Sequence, residues 1–275
     1  MPKSYLPLDI YPVKPPPMEN TIDCHPDYYD LNQGSCVVHV AKSKSGKGVC
    51  CVNQILNPAF DLANKLDIIH IYSPTAKSGD ISWRHVVEQM GETIYSEYSD
   101  SHLKSIIDEQ LKYPKNSRPR IAVIFDDIGA LPNITKNSLL WKLSTMYRHA
   151  GIKLLYYMIQ QFKMVMPIVR ANMDYCLISR TTNEKEVQDM SNEISSKYDG
   201  DKQFRKLLVK ATSQPYHFLY LRLNDQPATA FDCFNKKIYT AKMLGSLDVD
   251  FGNLRVNEKD ADENKIEKNF KDMEK

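Results

Sequence analysis

Along the middle of the chain, short apolar runs alternate with longer segments of mixed character. The runs are Cys36–Val40 (CVVHV), Asp67–Tyr72 (DIIHIY), Ile121–Phe125 (IAVIF), Leu154–Ile159 (LLYYMI), Tyr175–Ile178 (YCLI) and His217–Leu221 (HFLYL). They are rich in β-branched and aromatic residues and do not alternate strictly with polar ones. That pattern belongs to strands covered on both faces. The intervening segments, such as Ser138–His149 and Glu184–Lys197, carry helix-like patterns. Strand and helix in alternation predict an α/β fold with a mostly parallel central sheet flanked by helices.

The two ends differ from this middle. Residues 1–33 open with Pro2, Pro7, Pro12, Pro15, Pro16 and Pro17, which fix φ and remove backbone donors. This excludes helix there and predicts an extended N-terminal arm. Residues 254–275 are dominated by charge and read as a solvated tail. A single domain is expected over 34–253. With 42% hydrophobic residues in a chain of 275, a proper core is affordable, and the net charge of +2 neither demands nor excludes nucleic acid.

The six cysteines form no CxxC pair and read as small buried hydrophobes of a reducing compartment. There is no signal-peptide core and no stretch long enough to span a bilayer, so a soluble intracellular protein is expected.

The first candidate chemistry lies just after the first run. A phosphate-binding loop has the form GxxxxGK[ST] between a strand and a helix. Its eight positions here are Ala41, Lys42, Ser43, Lys44, Ser45, Gly46, Lys47 and Gly48. Gly46 and Lys47 fit, whereas Ala41 replaces the first glycine and Gly48 the closing hydroxyl. The context fits: Val37–Val40 supplies the strand, and Val49–Leu56 a helix that ends before Pro58. Backbone N–H groups from Ala41 to Val49 can face a polyphosphate, and the Lys47 ammonium can sit on its β- and γ-oxygens. Loss of the hydroxyl at Gly48 predicts weaker Mg²⁺ affinity, since Mg²⁺ keeps several waters in any case.

The third run ends in RIAVIFDD, Arg120–Asp127. An acidic strand tip is the expected second half of such a site: Asp126 in the Mg²⁺ shell, and Asp127 as general base or orienter of the attacking water. The fourth run ends at Gln160–Gln161, where a glutamine can sense the γ-phosphate or position water. Arg170, ten residues on, can reach a neighbouring subunit's nucleotide.

Taken together, these segments resemble the genome-packaging ATPases of large double-stranded DNA viruses and virophages, the poxvirus enzyme among them. That group is related to the FtsK–HerA superfamily of P-loop DNA translocases. The resemblance runs over roughly residues 34–235. It is carried by the loop around Gly46–Lys47, the segment Ile71–Trp83 (IYSPTAKSGDISW), IAVIFDD, and the glutamine followed by P-x-x-R-x-N-x-D from Pro167 to Asp174. It implies a RecA/FtsK–HerA-like P-loop NTPase using ATP and Mg²⁺, with Lys47, Asp127, Gln160 and Arg170 catalytic and Asp126 on the metal. It implies double-stranded DNA as the substrate of translocation, a homo-oligomeric ring of five or six subunits, and partners at the capsid vertex. The location implied is the host-cell cytoplasm, the viral factory or the virion. It also leaves Ser73, Pro74, Thr75 and Asp80 matched to a segment of unassigned role.

Two other readings stand beside this one. A P-loop kinase of nucleosides or similar small molecules needs an arginine-rich lid, for which Arg118–Arg120 is the available candidate. An assembly protein that keeps the fold with weak catalysis is favoured by the missing hydroxyl at Gly48 and opposed by Lys47, Asp126, Asp127 and Gln160.

Overall fold

The computed structural model describes residues 28–242, apart from 61, 78, 79, 128, 130, 132 and 133. Most of the proline-rich arm and the whole charged tail lie outside the described residues. In chain order the elements are β1 (Ser35–Val40), α1 (Lys47–Leu56), α2 (Leu62–Lys65), β2 (Ile68–Tyr72), α3 (Arg84–Met90), β3 (Ile94–Tyr95), α4 (Asp100–Leu111) and β4 (Ile121–Asp126). There follow α5 (Leu139–Met146), β5 (Ile152–Ile159), α6 (Pro167–Asn172), β6 (Tyr175–Ser179), α7 (Glu184–Ile194), α8 (Asp201–Ala211), β7 (Phe218–Arg222), β8 (Thr229–Asp232) and β9 (Lys236–Thr240).

Among the described residues, nine strands form one sheet in the order β3-β2-β4-β5-β1-β6-β7-β8-β9. From β3 to β6 all neighbours are parallel, and β7, β8 and β9 continue as an antiparallel meander. Each apolar run foreseen from the sequence is a strand. The strands not foreseen are the two-residue β3 and the pair β8–β9. The outer strand β9 exposes Lys236 and Lys237, a charged edge that discourages pairing with other chains.

Both faces of the sheet are covered, which explains the lack of polar alternation in the central runs. Along β4, Ile121, Val123 and Phe125 enter one apolar cluster, while Ala122 and Ile124 enter the other. Along β5, Leu155, Tyr157 and Ile159 go one way and Leu154, Tyr156 and Met158 the other. The first cluster is roofed by residues of α4, α5, α7 and α8, the second by α1 and Trp83. Residues 28–33 belong to this second layer: Tyr29 and Leu31 are buried, and the Tyr29 hydroxyl donates to Gln54 Oε1 of α1 at 2.6 Å.

One buried carboxylate ties several elements together. Asp174, just before β6, accepts from the Cys36 backbone N–H at 2.7 Å, the Tyr147 hydroxyl at 2.8 Å, Arg148 Nη2 at 2.8 Å and Asn224 Nδ2 at 2.5 Å. Its backbone pairs with Cys36 and Leu223 as well. The last residue of the P-x-x-R-x-N-x-D segment is thus a structural clamp on the start of β1. Its removal strands two buried donors, the Cys36 N–H and the Tyr147 hydroxyl, each costly to leave unmade. Asp174→Ala is expected to lower the unfolding free energy by about 2–4 kcal/mol, read from the urea midpoint at unchanged m-value.

Candidate functional site

The site sits at the carboxyl edge of the sheet, where three neighbouring strands end level. Val40 of β1 pairs with Ile159 of β5, and Asp126 of β4 pairs with Met158. Chain leaving β1 turns back over this edge. Ala41 N–H still bonds to the Ile159 carbonyl at 2.9 Å, and Ser45 N–H closes a turn on Lys42 O at 3.3 Å. Ala41 is buried and lies outside the positive-φ region, so alanine serves there as well as glycine. The left-handed positions are Lys44 (φ 63°) and Gly46 (φ 83°). Gly46 caps α1, and a Cβ on it would meet Tyr216 Cδ1 at 3.1 Å. The left-handed backbone favours glycine at that position, and the exposed Tyr216 ring would have to shift slightly for any other residue.

Lys47 opens α1 and is buried, 7% exposed. Its Nζ lies 3.8 Å from Asp126 Oδ1 and is directly ion-paired with Asp127 Oδ1. The lysine and the acidic strand tip, distant in sequence, therefore meet at one point. Asp126 is only 4% exposed, and its Oδ2 accepts from the Ser73 hydroxyl at 2.8 Å. Asp127 is more open and stands in the left-handed region at φ 50°. Burial pushes the Asp126 carboxyl up to about 6; the Lys47 ammonium opposes this, the Asp127 charge adds to it, the Ser73 hydroxyl opposes it, and Asp80 adds again.

The segment after β2 forms the second rim. Ser73 is fully buried at the end of that strand, which lies beside β4. Asp80 Oδ1 accepts from the Ser82 backbone N–H at 2.9 Å and so folds the 3-10 turn Ile81–Trp83. The SPT segment that sequence alone left without a role thus holds the carboxylate of Asp126. Its serine could be singled out only by knowing that β2 and β4 are neighbours.

Other expected site residues are placed less centrally. Gln160 is exposed just beyond β5, the strand between β1 and β4, and Gln161 follows it, also exposed. Lys42, Ser43, Lys44 and Val49 are exposed around the mouth of the loop. Arg170, on α6, is held within its own subunit. Its Nε donates to Glu193 Oε2 at 2.6 Å, its Nη1 donates to the Val165 carbonyl, and its guanidinium lies over the Phe162 ring at 5.4 Å. It borders a cavity of about 310 Å³ that is also lined by Arg148, Asp174, Glu193, Lys197 and Asn224. No contact joins it to Lys47 among the described residues.

The donor set suits Mg²⁺, a hard cation that takes oxygen ligands and keeps some of its waters. Asp126 offers a preoriented carboxylate, and Gly46 keeps the loop backbone clear of side chain. Trp83 Nε1, fully buried, has no hydrogen-bond partner among the described residues.

Comparison with solved structures gives the class. The chain has the fold of the P-loop NTPases. It is similar to B204, the DNA-packaging ATPase of Sulfolobus turreted icosahedral virus, at TM-score 0.50 and 19% identity over 70% of this chain and 95% of that one. It is also similar to the pCW3 conjugation coupling protein TcpA, in its monomer form with ATPγS, at TM-score 0.50 and 15% identity, over 74% of this chain and 61% of that one. B204 of Sulfolobus turreted icosahedral virus 2, in complex with ATPγS, follows at TM-score 0.49 and 22% identity, over 77% of this chain and 98% of that one. No family model and no curated protein matches the sequence. Among the described residues, no helix is long and apolar enough to cross a membrane.

The raised pKa of Asp126 has a thermodynamic sign. The folded state binds this proton more tightly than the unfolded state. The stabilisation is therefore full below the ordinary carboxylate value and is lost as pH rises through about 6. Without nucleotide or metal, Asp126→Asn is expected to stabilise the protein by about 1–3 kcal/mol at around pH 7.5, with the gain vanishing below about pH 4. Thermal melts across that range would measure it, and a pH-independent difference would contradict it.

Proposed function

We propose that this protein is an ATP-driven translocase that packages double-stranded viral DNA into a capsid. The observation that carries the reading is the convergence of Lys47, Asp126 and Asp127 at the edge where β1, β5 and β4 end. The likeness to a packaging ATPase and to a coupling protein supports it through the fold.

In this reading Lys47 is paired with Asp127 until a nucleotide arrives. An incoming triphosphate offers Lys47 a stronger anion, so the ammonium moves to the β- and γ-oxygens and frees Asp127. Asp127, more open than Asp126, then takes up or orients the proton of the attacking water. Asp126, clamped by Ser73, would hold the metal, which would supply neutralisation of phosphate charge. Gln160 stands at the tip of the strand between the two halves of the site and orients the water or senses the γ-phosphate.

Subunits form a ring of five or six around the duplex, whose phosphates lie every ~1.7 Å along the axis. Lys77 and Lys104, both exposed, are available to such a pore, whereas Lys163 is drawn to Asp189 and Glu193 at 3.5 and 3.7 Å. Capsid vertex proteins are the docking partners, and the setting is the host-cell cytoplasm, the viral factory or the virion.

The kinase alternative loses its lid. Arg120 pairs with Asp67 at 2.9 Å, and Arg118 donates to the His149 carbonyl at 2.8 Å. Both precede β4, at the opposite end of that strand from Asp126.

Duplex DNA is expected to stimulate ATP turnover, and Lys47→Ala to abolish it. A nucleotide-independent protein would instead be an assembly factor. Asp127→Asn keeps a residue that tolerates positive φ. It is expected to bind nucleotide nearly as wild type while hydrolysis falls about 10²–10⁴-fold; equal loss of both would exchange the roles of the two aspartates.

For Arg170 to act on a neighbouring nucleotide, its pairing with Glu193 must open in the ring. Mixed oligomers of Arg170→Ala and Lys47→Ala are expected to recover part of the activity that each variant lacks. No recovery from oligomers shown to be mixed would place the role of Arg170 inside its own subunit.

A further inference from the structure

Gly48 leaves the loop without the hydroxyl that normally follows the phosphate-binding lysine, and the structure shows what stands in the space. A Cβ built on Gly48 would lie 3.4 Å from Ser82 Cβ, 3.7 Å from Ser82 Oγ and 3.6 Å from Trp83 Nε1. The 3-10 turn Ile81–Trp83 therefore borders, at ordinary contact distance, the notch that a serine or threonine Cβ would take. Ser82 is partly exposed, and its hydroxyl has no partner among the described residues. Its backbone N–H is held by Asp80 Oδ1. The second observation is independent of the first. Trp83 is fully buried, yet its indole N–H makes no hydrogen bond among the described residues and borders the same notch. A buried donor left unmade costs free energy unless a ligand or ordered water meets it. A hydroxyl and an indole N–H at one glycine notch, beside a lysine–carboxylate cluster, make a site for oxygen ligands.

We propose that Ser82, from another segment of the chain, supplies the metal-ligating hydroxyl that the loop lacks at Gly48, with the Trp83 indole N–H donating to a phosphate oxygen of the bound nucleotide. The inference rests on the nucleotide-binding reading above and deepens it. The loop and the turn after β2 then form one metal site in two pieces. The turn cannot ligate unless it is docked on α1, so metal binding and docking of this segment are coupled.

The experiment measures Mn²⁺ affinity by electron paramagnetic resonance in the complex with the non-hydrolysable analogue AMP-PNP, alongside metal-free AMP-PNP affinity. Ser82→Ala is expected to weaken Mn²⁺ binding about 10–100-fold, as losses around a metal site commonly do, and to leave metal-free nucleotide affinity unchanged. Ser82→Thr, which keeps the hydroxyl, should retain Mn²⁺. The double variant Gly48→Ser with Ser82→Ala should regain it, because a side chain at position 48 meets only ordinary contacts and restores an oxygen from the other piece.

Ser82→Ala that holds Mn²⁺ as wild type does, or a double variant no better than Ser82→Ala, overturns the inference and leaves nucleotide binding standing. A wild-type protein that binds neither AMP-PNP nor its Mn²⁺ complex overturns the functional reading itself. Melting temperatures of all variants separate these outcomes from misfolding.

Discussion

A carboxylate buried as deeply as Asp126 is unstable as an anion unless positive charge and hydrogen-bond donors surround it. The site is organised around that constraint. Ser73 supplies a donor from β2, Lys47 supplies the charge from α1, and the ammonium is itself buried and needs the acidic pair in return. Neither partner is comfortable alone, so the lysine and the acidic pair hold one another in place. In the proposed reading a triphosphate would take over the pairing of Lys47 and a cation that of Asp126, so that one set of opposite charges would replace another.

The sheet order makes this convergence possible. β5 stands between β1 and β4, so the lysine reaches across the end of a strand to meet the acidic tip. Gln160, exposed, follows the end of that strand. At the other end of β1, Asp174 fixes the strand start to α5, β6 and the chain after β7. The P-x-x-R-x-N-x-D segment therefore contributes differently along its length: its aspartate serves the fold, and its arginine is engaged with Glu193 and Phe162.

The central strands were legible because burial on both faces imposes continuous apolar runs. The loop was legible from Gly46–Lys47 between a strand and a helix, despite two unusual positions. What stayed hidden depends on neighbours that sequence order does not reveal. Ser73 matters because β2 adjoins β4, and Ser82 and Trp83 matter because a later turn folds back onto α1. Tyr29 and Leu31 sit in a core layer although prolines dominate the segment before them. β8 and β9 are short, and Lys236 and Lys237 mask the edge strand as a polar loop. For Arg170, sequence spacing supplied a candidate role, but only the packing of α6 against α7 shows that its guanidinium is already engaged.

The two departures of the loop from the common pattern are not equivalent signs of decay. Ala41 replaces a glycine at a buried position outside the left-handed region, so the methyl group brings no backbone strain there. Gly48 removes a functional atom, which is a real chemical loss. Yet a loop that had simply degenerated would leave random side chains around the gap. Here the gap is bordered by the Ser82 hydroxyl and a fully buried indole N–H, neither of them partnered among the described residues, while Gly46, whose positive φ favours glycine, is still glycine. Lys47, Asp126 and the Ser73 clamp remain in mutual contact around it. The loop thus departs where another segment of the chain can answer, and keeps its usual residues where backbone geometry and buried charge leave no alternative.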